Sequence, residues 1–338
     1  MIQRRSLLIS GATAALGALL EGHANIPAKA STPRLPPLRQ GSRLRAVNPG
    51  TWIEPETTFD ALIDRCAAQG WTLEIPPSVT EQWRYFSGRD HERAGELARA
   101  WADPSIDAVI SLGGGWGSAR VLEAGFQFPR RPKWSLGFSD SCSLLLAQWA
   151  AGLPGAIHGS TNGPEDQWQR TVDLLKGRPV APLDGHGIVQ GIAEGPLVVT
   201  NLTVGTHSIG TPWMPHFDGT ILVLEDAGEA PYRVDRMLTQ WRSAGLLDKV
   251  AGVACGRFSW MEDDILPGDY SMEEVLENRL GGLGIPLVVN LPIGHGYPNQ
   301  ALPLGNGHVW MVEAGGLRFS LDSRPFPTAD VLRWANGP

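Results

Sequence analysis

The feature that most constrains the fold is a regular alternation of short apolar runs with helical patterns in the first half of the chain. The apolar runs have the length of strands and end in glycine or polar turns. Between them, apolar residues recur every three or four positions, as on the buried face of a helix. The pattern predicts strands at 44–50, 71–77, 106–115 and 132–140, and helices at 57–70 and 90–104. Such alternation is typical of a mostly parallel sheet covered by helices.

The second half contains more glycine and proline and fewer helix-forming residues. The pattern at 219–258 predicts a strand, an acidic turn, a helix and a strand, and that at 286–312 predicts two strands around a glycine-rich loop. We therefore predict an α/β protein with two domains. A mostly parallel N-terminal domain covers 43–176, a connection covers 177–195, and a β-rich C-terminal α/β domain covers 196–338.

The N-terminus predicts an export signal over residues 1–30, followed by a proline-rich linker at 31–42. Arg4 and Arg5 precede a run of fourteen apolar residues, and "AKA" then offers a peptidase site. The paired arginines indicate the twin-arginine route, so we expect a periplasmic protein. Fourteen apolar residues fall short of the ~20 that span a bilayer, so we expect no stable membrane insertion after processing. An uncleaved anchor is the alternative.

Charge and cysteine usage exclude several classes of function. The formal net charge of −7 argues against a nucleic-acid partner, which requires a basic surface. No HExxH, CxxC or paired short His spacing is present, so we predict no metal site. The three cysteines lie in apolar contexts and are expected to be small core residues: Cys66, Cys142 and Cys255.

Three polar residues follow predicted strands and are candidates for catalysis: Ser139, Glu225 and His295. The carboxyl ends of parallel strands are where functional groups gather in open α/β sheets. A serine hydroxyl is a weak nucleophile until a histidine removes its proton, and a carboxylate can orient that histidine. The order Ser, acid, His is also that of the α/β-hydrolases. The pattern is therefore compatible with acyl transfer.

Each candidate also has a structural interpretation. Ser139 lies in "LGFSDS", where Ser141 stands in place of the second glycine of a nucleophile elbow, and both hydroxyls suit a cap for the next helix. Glu225 suits a solvated strand end. His295 lies between two glycines, which favours close approach to another group. "SLGGGWGS" at 111–118 lacks the G-x-G-x-x-G and GK[ST] patterns, so a phosphate cradle and an oxyanion-binding loop both remain open.

Taken together, the motifs resemble the LD-carboxypeptidase family of serine peptidases, which includes the microcin C immunity peptidases. The similar segments, in order, are "YFSGRDHERAGELARAWADPSIDAVISLGGGWGSARVL", "LGFSD", "GTILVLEDAGEAPYRVDRMLTQ" and "LPIGHGYPNQALPLG". The resemblance implies a nucleophile on the N-terminal domain, acid and base on the C-terminal domain, and an active site in the cleft between them. By resemblance, Ser139 is the nucleophile, His295 the general base and Glu225 the acid, with Glu229 as the second candidate.

The resemblance also implies an oxyanion hole built from backbone amides. These would belong to Asp140 and to one of Gly113 or Gly114. Trp116 stands where the family has tyrosine and is expected, with Glu229, to line the substrate groove. "HGS" at 158–160 replaces the family's His-Gly-Pro.

The implied activity is hydrolysis of the amide between an L-centre diamino acid and the terminal D-alanine of a murein tetrapeptide. The reaction would pass through an acyl-enzyme and require no cofactor, with a peptidoglycan-derived peptide as substrate. One alternative is an immunity-type peptidase that cleaves acyl-sulfamoyl or phosphoramidate nucleotide conjugates, which the export signal disfavours. Another is a non-catalytic envelope protein that binds muropeptides. The sequence leaves open whether the chain forms a homodimer.

Overall fold

A computed structural model of the protein describes residues 35–54, 56–261, 267–313 and 316–320. The predicted export signal, 1–30, and the first residues of the predicted linker, 31–34, lie outside this range. Within the described part, no helix is both long enough and apolar enough to cross a membrane.

The elements alternate as the sequence pattern predicts and then become richer in strands. In chain order they are β1 (Arg43–Val47), α1 (Asp60–Ala68), β2 (Thr72–Glu74), α2 (Asp90–Ala102), β3 (Ala108–Ser111), α3 (Ser118–Glu123), β4 (Trp134–Gly137), α4 (Cys142–Ala150), β5 (Ala156–His158), α5 (Glu165–Leu175), β6 (Leu183–Asp184), β7 (His186–Val189), β8 (Ile192–Asn201), α6 (Leu202–His207), β9 (Ile221–Ala227), α7 (Pro231–Ser243), β10 (Gly252–Ser259), α8 (Met272–Leu280), β11 (Leu287–Val289), β12 (Leu302–Pro303), β13 (Gly305–Glu313) and β14 (Gly316–Ser320).

The first sheet has the order β12-β5-β4-β3-β1-β2 among the described strands. Its five N-terminal strands run parallel. The residues of β3 and β4 are almost entirely buried, because helices cover both faces of a parallel sheet. This arrangement brings the carboxyl ends of β3, β4 and β5 to one edge of the sheet, where Ser139 follows β4.

The second sheet has the order β6-β14-β13-β8-β9-β10-β11-β7 in the described part of the chain. Its centre, β8 to β11, is parallel, and the flanking strands are antiparallel. The apolar run "ILVL" of β9 is fully buried, and it packs in the same core as Trp241 of α7. The predicted α/β class, with a mostly parallel first sheet and a β-rich second part, is confirmed.

The two sheets share an apolar core, and one strand from the C-terminal half of the chain joins the first sheet. Leu145 and Leu146 of α4 belong to the same buried cluster as the central strands of the second sheet. The short strand β12 lies in the chain between β11 and β13 of the second sheet, yet it pairs antiparallel with β5 of the first, with Leu302 opposite His158. Burial of shared apolar surface therefore fixes the carboxyl ends of β4 and β9 relative to each other.

The predicted connection 177–195 takes part in the second sheet. It contains β6, β7 and the start of β8, and β7 pairs antiparallel with β11. Short strands at the edge of a sheet need no long apolar run, so the glycine- and proline-rich pattern concealed them. The three cysteines are buried and unpaired, as expected of core residues.

Candidate active site

Ser139 occupies a strained turn between β4 and α4. Its φ of +57° lies in the left-handed region, which residues with a side chain rarely adopt. The turn is also tight: a Cβ built on Gly137 would lie 2.8 Å from the Cβ of Ser141. The absence of a side chain at 137 therefore leaves room for one at 141. A second glycine is not needed for this serine to stand at the tip of an elbow-like turn.

The alternative that these hydroxyls cap the following helix is wrong. Neither the 3-10 turn at 139–141 nor α4 begins with a side-chain cap hydrogen bond. The buried carboxylate of Asp140 turns to a different helix and accepts hydrogen bonds from the backbone N–H of Ser118 (2.8 Å) and its hydroxyl (2.7 Å). Asp140 therefore links the serine turn to the first turn of α3.

His295 contacts both Ser139 and Glu225. Its Nε2 lies 3.0 Å from Ser139 Oγ, and its Nδ1 lies 2.8 Å from Glu225 Oε2. The backbone N–H of His295 donates to the same carboxylate oxygen at 3.2 Å. Because a carboxylate only accepts, the Nδ1–H tautomer fits these contacts, and Nε2 is then free to accept the serine proton. Ser139 lies in the turn after β4, Glu225 lies in β9, and His295 lies in the loop after β11.

Electrostatics favour an ionised carboxylate beside this histidine. Glu225 is fully buried, which alone would raise its pKa, but contacts with His158 and His295 outweigh burial and lower the pKa to about 2. Burial lowers the pKa of His295, and the contact with Glu225 more than offsets it, so the net shift is upward. Each partner therefore stabilises the charged form of the other.

The second candidate acid lies elsewhere. Glu229 forms an ion pair with Arg233 at 3.6 Å near the start of α7. Asp226, the neighbour of Glu225, accepts hydrogen bonds from the side chain of Asn201 and from the backbone of Thr203. The structure thus brings Glu225, and neither of the other two carboxylates, to the imidazole of His295.

The glycine-rich loop after β3 lies against the serine. A Cβ built on Gly114 would be 3.7 Å from Ser139 Cβ and 3.8 Å from its Oγ. Gly113, with φ +82°, packs against Asn48, where a Cβ would lie 2.6 Å from the amide oxygen. The carbonyl of Gly114 accepts a hydrogen bond from the backbone N–H of Thr51 at 3.0 Å, which holds the loop to the segment that follows β1. Of the two predicted glycines, Gly114 is the one beside Ser139.

The histidine loop is held by close packing and by side-chain hydrogen bonds. A Cβ on Gly294 (φ +100°) would lie 2.9 Å from Glu225 Oε2. The side chain of Asn299 accepts from the backbone of Gly294 at 3.0 Å. Arg257 of β10 donates to the carbonyls of His295 (3.1 Å) and Tyr297 (2.7 Å). The flanking glycines are thus explained by close approach, as the sequence indicated.

Two further side chains lie at this site and were not predicted from the sequence, Arg257 and His158. His158 ends β5, is fully buried, and places Nε2 3.9 Å from Glu225 Oε1. The ring of Phe138 contacts the rings of both His158 (5.1 Å between centroids) and His295 (4.5 Å). Both missed residues lie at or near the carboxyl end of a parallel strand, which is the signal that would have found them.

Trp116, predicted to line the groove, is 39% exposed. Its ring meets that of His207 edge-on at 6.0 Å, so residues from both halves of the chain meet beside the glycine-rich loop. No group of three or more metal-ligating side chains is found among the residues that the structure describes.

Two family models match the chain: the LD-carboxypeptidase N-terminal domain over residues 45–159 and the LD-carboxypeptidase C-terminal domain over 194–308. Together they span most of the described residues and include Ser139, Glu225 and His295. The chain belongs to the LD-carboxypeptidase family.

Relatives and solved structures agree with this membership. The murein tetrapeptide carboxypeptidase of Pseudomonas aeruginosa is 30% identical over 298 residues, covering 82% of this chain and 95% of its own. The crystal structure of muramoyltetrapeptide carboxypeptidase from Oxalobacter formigenes superimposes on this chain with a TM-score of 0.70 at 25% identity. The match covers 84% of this chain and 100% of that one. The microcin C7 self-immunity protein MccF shares the fold with a TM-score of 0.73 at 21% identity, over 87% of this chain and 100% of its own.

Proposed function

We propose that this chain is a serine LD-carboxypeptidase that removes the terminal D-alanine from a murein tetrapeptide. The observation that carries the proposal is the pair of contacts made by one imidazole, 3.0 Å to Ser139 Oγ and 2.8 Å to Glu225 Oε2. Proton transfer from a serine requires hydrogen-bond reach of this kind. The relatives named for murein or muramoyl tetrapeptides support the choice of substrate.

In the proposed reaction, His295 Nε2 takes the proton of Ser139 as Oγ attacks the carbonyl carbon of the scissile amide. Glu225 stabilises the imidazolium that forms. The same proton then passes to the leaving amine, D-alanine departs, and the peptide remains bound to Oγ as an ester. Water, deprotonated by His295, hydrolyses that ester and restores the serine.

The oxyanion of each tetrahedral intermediate needs N–H donors that are already in place. We assign this role to the backbone amides of Asp140 and Gly114. The side chain of Asp140 supports the assignment, because its hydrogen bonds to Ser118 join the serine turn to the end of the glycine-rich loop. Gly114 is favoured over Gly113 because it lies against Ser139.

The decisive experiment combines labelling with product analysis. We expect a serine-reactive phosphonate to modify Ser139 alone, as mapped by peptide mass spectrometry, and the protein to release D-alanine from murein tetrapeptide. Ser139→Ala should abolish both, with a rate loss of about 10⁴-fold or more. Labelling at another residue, or unchanged release by S139A, would refute the proposed nucleophile. Labelled Ser139 without D-alanine release would refute the substrate instead.

The immunity-type alternative is tested by assaying an acyl-sulfamoyl nucleotide beside the tetrapeptide. The similarity to MccF, at 21% identity, concerns the fold, and the predicted export signal argues against a substrate found inside the cell. The alternative of a binding protein without turnover is disfavoured by the 3.0 Å contact between His295 and Ser139.

We also propose that the enzyme acts in the periplasm after twin-arginine export. Arg4, Arg5 and the short apolar stretch that follows support this location. Replacing both arginines by lysine should retain the protein in the cytoplasm, as measured by cell fractionation and D-alanine release in each fraction. Equal distribution of the wild type and the R4K/R5K variant would contradict the proposed route.

A further inference from the structure

A second histidine lies on the far side of the active-site carboxylate. His158 is the last residue of β5, is fully buried, and pairs with Leu302 of β12 in the sheet ladder. Neither of its ring nitrogens has a hydrogen-bond partner among the residues that the structure describes. A buried imidazole in that condition is unusual, since buried polar groups are nearly always paired.

The nearest matching group is one oxygen of Glu225. Oε2 of this carboxylate accepts from the ring and backbone of His295, whereas Oε1 has no hydrogen-bond partner in the described part of the chain. His158 Nε2 lies 3.9 Å from that oxygen. An approach of about 1 Å would bring the two atoms to hydrogen-bond distance, and each would satisfy the other.

The position of His158 in the site restricts the ways in which it can affect the reaction. Its ring packs against Phe138, which also packs against His295, and no hydrogen bond joins its ring nitrogens to Ser139 in the described structure. An effect of His158 on the reacting atoms must therefore pass through the carboxylate of Glu225 or through the ring of Phe138. The groups that act electrostatically on Glu225 and His295 are each other, His158, Asp226 and the Cys142 thiol.

We infer that His158 is a positioning residue whose Nε2–H donates to Oε1 of Glu225 and holds the carboxylate with Oε2 facing His295. A carboxylate held at both oxygens cannot rotate away from the imidazole as its charge changes. The inference rests on the proposed function, because it assigns a task within the same Ser139–His295–Glu225 arrangement.

The test measures the rate at which a serine-reactive phosphonate modifies Ser139 as a function of pH, so no peptide substrate is needed. His158→Phe removes the donor and keeps a ring of similar size. His158→Gln keeps an N–H donor at about the position of Nε2. The matched control is His186→Phe: His186 Nε2 also lies 3.9 Å from a glutamate, Glu273, but the side chains are 63% and 56% exposed.

We expect H158F to label at least about tenfold more slowly at the alkaline plateau, as for loss of an outer hydrogen-bond partner of an active-site group. Its acid midpoint should move to higher pH, because a carboxylate that loses a donor holds the imidazolium proton more tightly. H158Q should stay within about threefold of wild type, with an unchanged midpoint, and H186F should match wild type in both.

Two results would overturn the inference while the wild type is labelled at Ser139. One is H158F with the rate and midpoint of wild type. The other is a tenfold loss in H158Q, which decides the question even if H158F fails to fold. A wild type that is not labelled at Ser139 would instead refute the proposed function itself.

Discussion

The serine turn (residues 137–142) and the histidine loop (residues 293–299) meet at the imidazole of His295, yet they are held in different ways. Backbone shape fixes the turn: Ser139 has a positive φ, and the missing side chain at Gly137 makes room for Ser141. Side chains fix the loop: Arg257 and Glu225 from the second sheet, and Asn299 from within the loop. The conformation of the turn therefore depends mainly on steric fit, and that of the loop depends more on polar partners, two of which lie 38 and 70 positions from His295 in the sequence.

We expect the largest loss of activity from removing the charge of Glu225, which contacts the histidine loop. Glu225→Gln keeps the shape of the side chain but removes the charge that orients His295 and stabilises its imidazolium. We expect D-alanine release to fall about 10³- to 10⁴-fold, measured as kcat/KM. Glu229→Gln is the matched control, because Glu229 pairs with Arg233, and it should retain most of the rate. A larger loss in E229Q than in E225Q would reverse the assignment of the acid.

Gly294→Ala attacks the loop through packing. The new Cβ would lie 2.9 Å from both Cβ and Oε2 of Glu225, at a φ of +100° that alanine rarely adopts. A displacement of the imidazole by about 1 Å should lower kcat about 10²-fold. Gly282, with no heavy atom within 4 Å of a built Cβ, provides the control variant G282A. Equal activities of the two variants would show that the loop tolerates a side chain.

Arg257→Ala removes the two hydrogen bonds to the carbonyls of His295 and Tyr297. We expect a loss of about tenfold or more in kcat with little change in KM, because the imidazole loses support rather than the substrate. Arg178→Ala is the control, since that arginine makes a 3.4 Å ion pair with Asp173 and its side chain is 56% exposed. A wild-type kcat in R257A would show that the packing of the glycines is sufficient to hold the imidazole of His295 in position.

A double substitution tests the steric account of the turn. Gly137→Ala should cost about 1–3 kcal/mol in unfolding free energy, measured by denaturant titration, because its Cβ meets Ser141 Cβ at 2.8 Å. Ser141→Gly removes that atom and should restore most of the loss in the double variant. If the losses of the two single variants simply add in the double variant, a contact other than the one with Ser141 prevents a side chain at position 137.

The smallest effect concerns pH. The carboxylate of Glu225 raises the pKa of His295, and in the proposed mechanism only the neutral imidazole can accept the serine proton. The acid limb of kcat/KM should therefore have its midpoint above the ~6.5 of a free imidazole, with activity lost as pH falls through it. The residual activity of E225Q should have its acid midpoint at lower pH, because the carboxylate that raises the pKa of His295 is gone. A midpoint that stays in place would mean that another group controls the limb.

Sequence patterns predicted the parts of this site that follow strands. Ser139 and Glu225 terminate or follow apolar runs, and His295 lies in a glycine-rich loop, so their common edge could be expected from parallel topology. The choice between Glu225 and Glu229 could not, because only the structure shows that β9 extends through Ala227 and keeps Glu225 buried. The hydrogen bonds of Asp140 to Ser118 were also hidden, because residues 22 positions apart carry no local signal.

Strand β12 has a consequence for the order of assembly. It closes the edge of the first sheet beside β5, only a few residues after His295 in the chain. A growing polypeptide thus acquires His295, the proposed general base, and the last strand of the sheet that carries Ser139 almost together. Until then β5 presents an unpaired edge and Ser139 lacks the imidazole of His295, so the proposed nucleophile has no partner to activate it while most of the chain is being made.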